Sequence, residues 1–359
     1  MRYPRVLINL ADIESNVIEI TKRAKAQNIE IFGVTKVVHG NIDITKKILS
    51  SGCIGAASSR IDHLKKMKTA GINEPLMLVR IPMKSELPEV LKYSDISLQS
   101  DIGVLKELNS VAEHLGKNHG IILMADLGDL REGFRKEEEL ISAATFVEES
   151  DKLELLGVGT NLGCYGSVVP TREKLTELVD VAEKTEAVIG RKLKYISGGA
   201  TSSFARVLDG DMPERINMLR MGEGLLFGND LINEYGCEMP YMKNGAFVME
   251  AEVIEVKEKP SFPIGELGVD AFGRTPVYED KGIRKRALIA VGKADYADET
   301  KLTPIDSDVV LVGASSDHTI LDVTDAKKNI ESGDIIKLKL QYQSALYATN
   351  TKDVEVVVR

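Results

Sequence analysis

Short apolar runs alternate with longer amphipathic runs through the first two thirds of this chain. Eight of the apolar runs are typical of buried strands, and they cover residues 30–36, 53–58, 75–81, 95–100, 120–127, 153–161, 193–199 and 216–222. Strand and helix patterns in alternation indicate an α/β fold with parallel strands, and the count favours a closed (β/α)8 TIM-type barrel. An open doubly wound sheet is the alternative architecture.

Three of the amphipathic runs predict helices with recognisable ends. Residues 102–116 carry leucines at helical spacing along one face. Residues 172–190 end in Gly190, which suits a helix C-cap because glycine adopts the left-handed conformation without strain. Residues 11–27 begin beside Asp12, which is a candidate N-cap.

After about residue 240 the pattern changes. The runs 246–259, 284–292, 308–316, 318–325, 334–342 and 353–359 are short, rich in β-branched residues and separated by Gly, Asp and Pro. This pattern is typical of an all-β domain. We therefore predict a barrel over residues 1–239 and a β-domain over residues 240–359. The opening strand, residues 4–10, is assigned to the barrel range, although it could also pair with the second domain.

Composition excludes several classes of function. The formal net charge is −9, which argues against a general nucleic-acid-binding or membrane-surface role, because either role needs a basic surface. The three cysteines and five histidines are scattered without the spacing of a disulfide framework or a metal site, so no metal is predicted. The sequence shows neither a signal peptide nor an apolar run of roughly 20 residues, so we expect a cytoplasmic enzyme and no membrane partner.

In a barrel of this kind, chemistry gathers at the carboxyl ends of the strands. The candidate residues at these positions are Lys36 after the first strand, Asp126, Gly128 and Arg131 after the fifth, Thr160 and Asn161 after the sixth, and Arg220 after the eighth. Two loops rich in small residues, 197–203 and 221–228, follow the seventh and eighth strands. A lysine, two arginines and two such loops are therefore expected at one rim.

Both loops have the composition of a phosphate site. Glycines let the backbone approach a ligand, and backbone N–H groups with Ser and Thr hydroxyls supply donors. Each loop alone is also typical of an ordinary turn, but loops after strands seven and eight take the usual phosphate position of a barrel. A solvated lysine is the ordinary interpretation of Lys36; opposite a phosphate site, covalent binding of pyridoxal phosphate by this lysine is the better one.

Several motifs resemble those of the alanine-racemase-like, fold type III enzymes that depend on pyridoxal phosphate. They are VTKVVHG (34–40), DLGDLREG (126–133), LRMGEGLLFG (219–228) and VGASSDHTILDVTD (312–325). The segments LGDLREG, GTNLGC, GELGVDAFG and GASSDH are similar to the ornithine racemase branch of that family. The resemblance covers essentially the whole chain and implies a (β/α)8 barrel followed by a β-domain.

The resemblance assigns roles by position. Lys36 would bind the cofactor and act as one of two acid/base groups, and Arg220 would donate to its pyridine nitrogen, which favours reprotonation at Cα over transamination. Arg131 would reach the phenolic oxygen and the substrate carboxylate, and Asn161 takes the place of a histidine that stacks on the ring. The phosphate would be held by Ser197, Gly199, Ala200 and Thr201 with the backbone of Gly222 and Glu223.

Racemisation needs a second acid/base group on the other face of the substrate. Alanine racemases supply a tyrosine from the β-domain of the partner subunit, and this chain has Lys293 at that position. Lys293 is the first candidate, and an exposed loop lysine without a role is the alternative. The other residues left open are Asp295, Tyr296, Asp317 and His318.

Two further positions depart from the family. Met124 stands where alanine racemases often have a carbamylated lysine that fixes the arginine, so Asp126 or Asp129 is expected to brace Arg131. His39 stands where they have a longer loop with a phosphate-binding tyrosine, and no role is assigned to it.

The implied function is an amino-acid racemase that interconverts L- and D-forms, most closely for ornithine or another basic amino acid. Glu266, Asp270 and Asp317 are candidates to bind the distal ammonium, although acidic loop residues are mostly just solvated. The implied assembly is a head-to-tail homodimer in which each β-domain completes the partner's active site. Alternatives are an alanine or broad-specificity racemase, a metal-dependent D-amino-acid aldolase or dehydratase, and a cofactor carrier, against which the β-domain argues.

Overall fold

The computed structural model describes residues 2–275 and 277–359. Strand β1 (Arg5–Ile8) opens the chain. The next eight strands are parallel and close into a barrel, which confirms the predicted fold class. They are β2 (Glu30–Val34), β3 (Gly55–Ser58), β4 (Leu76–Leu78), β5 (Ile96–Gln99), β6 (His119–Met124), β7 (Leu153–Gly159), β8 (Tyr195–Ser197) and β9 (Met218–Met221).

Helices alternate with the barrel strands, beginning before β2. They are α1 (Leu10–Lys25), α2 (Ile42–Ser50), α3 (Ile61–Thr69), α4 (Leu87–Tyr93), α5 (Ile102–Leu115), α6 (Glu137–Glu148), α7 (Arg172–Ile189), α8 (Phe204–Asp209), α9 (Glu223–Leu226) and α10 (Asn229–Asn233). The predicted cap of α7 is present, because Gly190 ends the helix with φ of 75°. The predicted N-cap Asp12 is wrong, since α1 begins at Leu10 and Asp12 lies within its first turn. None of the described helices combines the length and apolar composition that a membrane span requires.

Apolar side chains fill the barrel interior. Phe32 of β2 and Met124 of β6 belong to this core and are fully buried, so Met124 contributes packing. The barrel closes where β2 pairs with β9, with Phe32 opposite Arg220 and Gly33 opposite Met221. Because all eight strands run in the same direction, their carboxyl ends form one rim. The strand ends singled out in the sequence therefore share that rim.

The second domain contains strands β10 (Phe247–Pro260), β11 (Ile283–Ile289), β12 (Leu302–Pro304), β13 (Val310–Ala314), β14 (Thr319–Asp322), β15 (Ile335–Leu340) and β16 (Glu355–Val358). Six of them form an antiparallel sheet in the order β12-β15-β10-β11-β14-β13. Two short helices, α11 (Lys293–Tyr296) and α12 (Tyr342–Ala348), interrupt a region that the sequence predicted as strands and loops.

The two compact units divide the chain differently from the predicted ranges. One unit is Leu10–Asn244, and the other joins the chain up to Asn9 with Gly245–Arg359. Strand β1 belongs to the second unit because it pairs antiparallel with β10 and parallel with β16. The assignment of the opening strand to the barrel range 1–239 is therefore corrected.

Candidate active site

Arg220 lies on β9 at the barrel rim, and only 4% of the residue is exposed. Nη1 donates to the Ser197 hydroxyl, and Nη2 donates to the Thr160 carbonyl at 2.8 Å. Burial lowers the pKa of Arg220 to about 10, against the attraction of the Glu132 carboxylate. The guanidinium is thus still charged at neutral pH. Because its hydrogen-bonded acceptors are uncharged, it can attract a ligand atom that carries an electron pair.

Two glycine-containing turns lie next to Arg220. The first follows β8, where Gly199 has φ of 112°, a conformation that favours glycine, and leads into the 3₁₀ turn Thr201–Ser203. The second follows β9 and leads into α9. The Gly224 N–H donates to the Thr201 hydroxyl at 3.1 Å, and the Arg220 N–H donates to the Gly199 carbonyl at 2.9 Å. The two turns therefore lie side by side.

Lys36 is half-buried and begins the 3₁₀ turn Lys36–Val38 directly after β2. Gly222, in the turn after β9, packs against Val34, the last residue of β2. A Cβ at Gly222 would lie 3.1 Å from the Val34 carbonyl oxygen. This close approach brings the turn that carries Lys36 next to the turn after β9, as the strand-end argument predicts.

His39 follows the lysine turn in the left-handed conformation, with φ of 51°. Its ring makes an edge-to-face contact with His63, and the ring centroids are 5.1 Å apart. His63 Nδ1 shares a hydrogen bond of 2.8 Å with the Ser58 hydroxyl. Burial lowers the pKa of His63 to about 4, and the nearby His39 adds to this effect. A neutral His63 therefore packs behind the turn that follows Lys36.

Arg131 lies in the loop after β6 and is bound by its neighbour in sequence. Its Nε and Nη2 donate to the two carboxylate oxygens of Glu132, and Nη1 donates to Cys164 Sγ. The hydrogen bonds to Glu132 raise the pKa of Arg131 above its ordinary value. The expectation that Asp126 or Asp129 braces Arg131 is wrong, because the adjacent carboxylate already takes the guanidinium in a two-bond pairing.

The two aspartates shape the loops instead. Asp126 accepts the N–H of Gly128 at 2.9 Å. Asp129 is buried and accepts the N–H groups of Gly163 and Tyr165, both at 3.1 Å, which ties the loop after β7 to the loop after β6. Burial on its own would raise the pKa of Asp129, but the backbone N–H groups outweigh burial and lower it.

Several buried polar side-chain atoms of the barrel unit have no hydrogen-bond partner among the described residues, and two of them follow barrel strands that carry predicted site residues. These two are Asn161 Nδ2, just after β7, and Glu223 Oε2, at the start of α9. Glu223 Oε1 accepts the N–H groups of Asn229 at 2.9 Å and Asp230 at 3.2 Å. Burial raises the pKa of Glu223 to about 8, and the Asp230 carboxylate adds to this. Buried polar atoms without partners are atoms that a bound ligand would satisfy.

In the β-domain, Lys293 begins α11 and is only 9% exposed, so the alternative of a solvated loop lysine is wrong. Its Nζ pairs with Glu299 Oε1 at 2.9 Å and lies 4.6 Å from the centroid of the Phe272 ring. Arg274 Nη2 also reaches Glu299 Oε1, at 3.5 Å. A pocket of ≈ 460 Å³ opens here and is lined by Phe272, Arg274, Lys293, Ala294, Ala297 and Ser316.

Gly292 holds this lysine against the loop that follows β13. A Cβ at Gly292 would lie 2.2 Å from the Ser316 carbonyl oxygen, so no other residue fits without a shift of the backbone. The Lys293 N–H donates to the Ser315 carbonyl at 2.9 Å. The turn that carries Lys293 and the loop that carries Asp317 are thus fixed to each other.

Two of the other candidates for the second acid/base group have structural contacts. Tyr296 is fully buried, and its hydroxyl shares a hydrogen bond of 2.6 Å with the Thr319 hydroxyl. Burial raises the pKa of Tyr296 to about 12. Asp295 accepts the Gly292 N–H at 3.0 Å, and burial raises its pKa. Tyr296 anchors α11 to the sheet, and Asp295 closes the turn before it.

The acidic residues predicted to meet a distal ammonium differ in their surroundings. Glu266 and Asp317 are exposed, as is His318. Asp270 accepts the N–H groups of Phe272 at 2.8 Å and Arg274 at 2.9 Å, so its carboxylate builds a turn. Of the three, Asp317 lies next to a residue that lines the Lys293 pocket.

Sequence reasoning missed the carboxylates that hold the two candidate cations. Glu132 was within reach of prediction, because it follows Arg131 inside the quoted motif DLREG. Glu299 gave no such signal, since its approach to Lys293 depends on how the chain turns after α11. Cys164 was noted only as a scattered cysteine.

Known proteins resemble this chain in both sequence and fold. The family model described as the N-terminal domain of alanine racemase matches residues 8–230. An ornithine racemase from Acetoanaerobium sticklandii is 40% identical over 353 residues, which are 98% of this chain and 99% of that protein. A lysine racemase from Thermotoga maritima is 41% identical over 357 residues, 99% of each. In fold, an alanine racemase from Streptomyces lavendulae superposes with a TM-score of 0.79 at 18% identity, covering 100% of this chain and 98% of that one.

Proposed function

Because this chain belongs to the alanine racemase family, we propose that it is an amino-acid racemase that uses pyridoxal phosphate and acts on a basic amino acid. The predicted family and its ornithine racemase branch are confirmed by the relatives named ornithine racemase and lysine racemase. The observation that carries the proposal is the meeting of Lys36, the buried Arg220 and the two glycine-containing turns at one barrel rim.

The residues of the rim fit the cofactor. The turns after β8 and β9 would hold the phosphate through Ser197, Gly199, Ala200 and Thr201 and the backbone of Gly222 and Glu223. Arg220 would donate to the pyridine nitrogen, and Lys36 would bind the aldehyde. Asn161 Nδ2, which has no protein partner among the described residues, would lie beside the ring. When bound, the cofactor withdraws electrons from the substrate Cα and so makes its hydrogen acidic.

Two lysines would then move the proton. Lys36 Nζ would exchange a proton at one face of Cα, and the partner subunit's Lys293 would exchange one at the opposite face. Arg131 would bind the substrate carboxylate and so fix Cα between them. The buried position of Lys293 in a pocket of its own domain supports this assignment, as does its place in the family motif. The assembly is accordingly a head-to-tail homodimer.

The preference for a basic substrate is supported by the named relatives and by one residue of the pocket edge. Asp317 is exposed beside Ser316, and the Ser316 hydroxyl donates to it at 2.6 Å. An exposed carboxylate next to the Lys293 pocket would pair with the distal ammonium of ornithine or lysine. The expected cytoplasmic location stays a prediction.

A screen of single L- and D-amino acids in D2O tests the function. We expect loss of the α-hydrogen NMR signal with ornithine or lysine, an absorbance band of the protein-bound cofactor, and loss of both with Lys36→Ala. Lys46→Ala, at an exposed lysine on α2, is the matched control and should behave as wild type. Exchange with alanine alone would assign an alanine racemase instead, and racemisation that survives Lys36→Ala would contradict the proposal.

A further inference from the structure

Four charged side chains in the β-domain alternate in sign and end at Lys293. Asp270 pairs with Arg274 at 3.3 Å, Arg274 reaches Glu299 at 3.5 Å, and Glu299 pairs with Lys293 at 2.9 Å. The proposed function uses only the last member of this series. The segment GELGVDAFG (265–273), quoted above as a family signature, supplies the first.

The Phe272 ring closes the series on one side. Lys293 Nζ lies 4.6 Å and Arg274 Cζ lies 5.7 Å from its centroid, within the range of cation–π attraction. The side chains of Lys293 and Glu299 are only 7% and 14% exposed. Screening by water is therefore weak, and this ion pair is held far more firmly than a pair on the surface.

The turn around Asp270 explains how Phe272 and Arg274 reach their places. The Asp270 carboxylate accepts both of their N–H groups, and the Asp270 N–H donates to the Arg274 carbonyl at 2.7 Å. Asp270 is thus committed to the turn. This turn places the Phe272 ring next to Lys293 and the Arg274 guanidinium next to Glu299.

From these contacts we propose that Glu299 is the positioning residue of Lys293, an inference that rests on the proposed racemase function. In the step at the β-domain face, an Nζ–H bond of the Lys293 ammonium breaks and a Cα–H bond forms; in the reverse step the Lys293 amine takes that proton back. Glu299 carries no proton in either direction. Its Oε1 fixes the place of Nζ, and its buried Oε2 has no hydrogen-bond partner among the described residues.

The test is Glu299→Gln in the holoenzyme, which keeps the size of the side chain and removes its charge. Exchange in D2O is measured separately for the L- and D-substrate. We expect a loss of at least ~10-fold for the enantiomer that Lys293→Ala also affects, and unchanged exchange for the other. Glu299→Asp keeps the charge at a shorter reach and should restore part of the rate. Glu279→Gln, at an exposed carboxylate in the loop between β10 and β11 that pairs with Lys281, is the control.

A second measurement does not depend on turnover. Reductive methylation of Lys293 by formaldehyde and cyanoborohydride, followed by mass spectrometry of its peptide, should be faster in Glu299→Gln because the amine has lost its ion pair. Should Glu299→Gln show a lowered thermal midpoint, Glu299→Asp takes its place, and a loss confined to the same enantiomer supports the inference.

The two possible failures are distinguishable. Equal loss for both enantiomers, or unchanged exchange together with unchanged methylation, would overturn the assignment of Glu299 while the wild type still racemises. A wild type that exchanges the α-hydrogen of no amino acid would instead remove the proposed function on which the assignment rests.

Discussion

The barrel rim and the β-domain pocket each bury a cation, and they surround it in opposite ways. Arg220 is met by a hydroxyl and a backbone carbonyl, whereas Lys293 is met by the carboxylate of Glu299. A buried cation with uncharged partners is unfavourable for the fold but attracts an electron-rich ligand. A cation paired with a carboxylate is held in place without a ligand. This difference agrees with the roles proposed above, cofactor binding at the rim and proton transfer at the pocket.

Replacement of Lys293 should have the greatest effect on activity of the changes considered for these two sites. Lys293→Ala should lower racemisation by ~10²–10⁴-fold, because one acid/base group is lost, and exchange should survive for one enantiomer. Enantiomer-resolved exchange measured by NMR checks this. Lys327→Ala, at a lysine that is 80% exposed in the same domain, should leave both rates unchanged. Equal losses for the two enantiomers would contradict the assignment of Lys293 to one face.

The buried carboxyl group of Glu223 at the barrel rim extends the comparison to pH, because it is met by backbone N–H groups and not by a cation. Folding raises the pKa of Glu223 from 4.5 to about 8, so the folded chain holds this proton more tightly than the unfolded chain does. Its contribution to stability is full below pH 4.5 and is lost as the pH rises through 8.

The expected result is a difference between two unfolding curves. From pH 4.5 to 8, the free energy of unfolding of the wild type should fall by a few kcal/mol relative to that of Glu223→Gln, and the difference should level off above this range. Denaturant unfolding across this range measures it. Parallel curves for the two proteins would show that Glu223 does not hold its proton.

A smaller change in the free energy of unfolding is expected on replacement of Arg220. Because burial lowers the pKa of Arg220 to about 10, the charged form is unfavourable in the folded chain. Arg220→Gln should therefore raise the free energy of unfolding of the cofactor-free protein by about 1–2 kcal/mol, while cofactor affinity falls. Unfolding and absorbance titrations on the same samples measure both quantities. A loss of stability would mean that the bonds to Ser197 and Thr160 outweigh the burial of the charge.

The barrel and its rim could be predicted because their signals are local. Each of the eight strands is an apolar run, and the direction of parallel strands brings Lys36, Asn161 and Arg220 to one rim. The pairing of β1 with β10 and β16 could not be predicted, because it joins segments far apart in the chain. The sequence of a strand at the start of the chain does not indicate which sheet that strand joins.

The partners of charged groups were also beyond the sequence. Glu132, and not Asp126 or Asp129, holds Arg131, since the choice depends on which carboxylate reaches the guanidinium once the loop has folded. Glu299 reaches Lys293 for the same reason. The homodimer and the roles of Lys293 and Asp317 stay predictions.

The contact at Gly292 has a consequence for how this protein can be altered. Gly292 packs so closely on Ser316 that an added Cβ would lie 2.2 Å from its carbonyl oxygen, and the N–H groups of Lys293 and Ala294 donate to the carbonyls of Ser315 and Ser316. The turn that carries Lys293 and the loop that carries Asp317 are therefore remodelled together. A library that reshapes residues 315–318 to accept a new substrate will also displace Lys293. With Lys293 as the proposed acid/base group, selection for a new substrate is also selection on proton transfer, and variants that bind well but turn over slowly are the expected result.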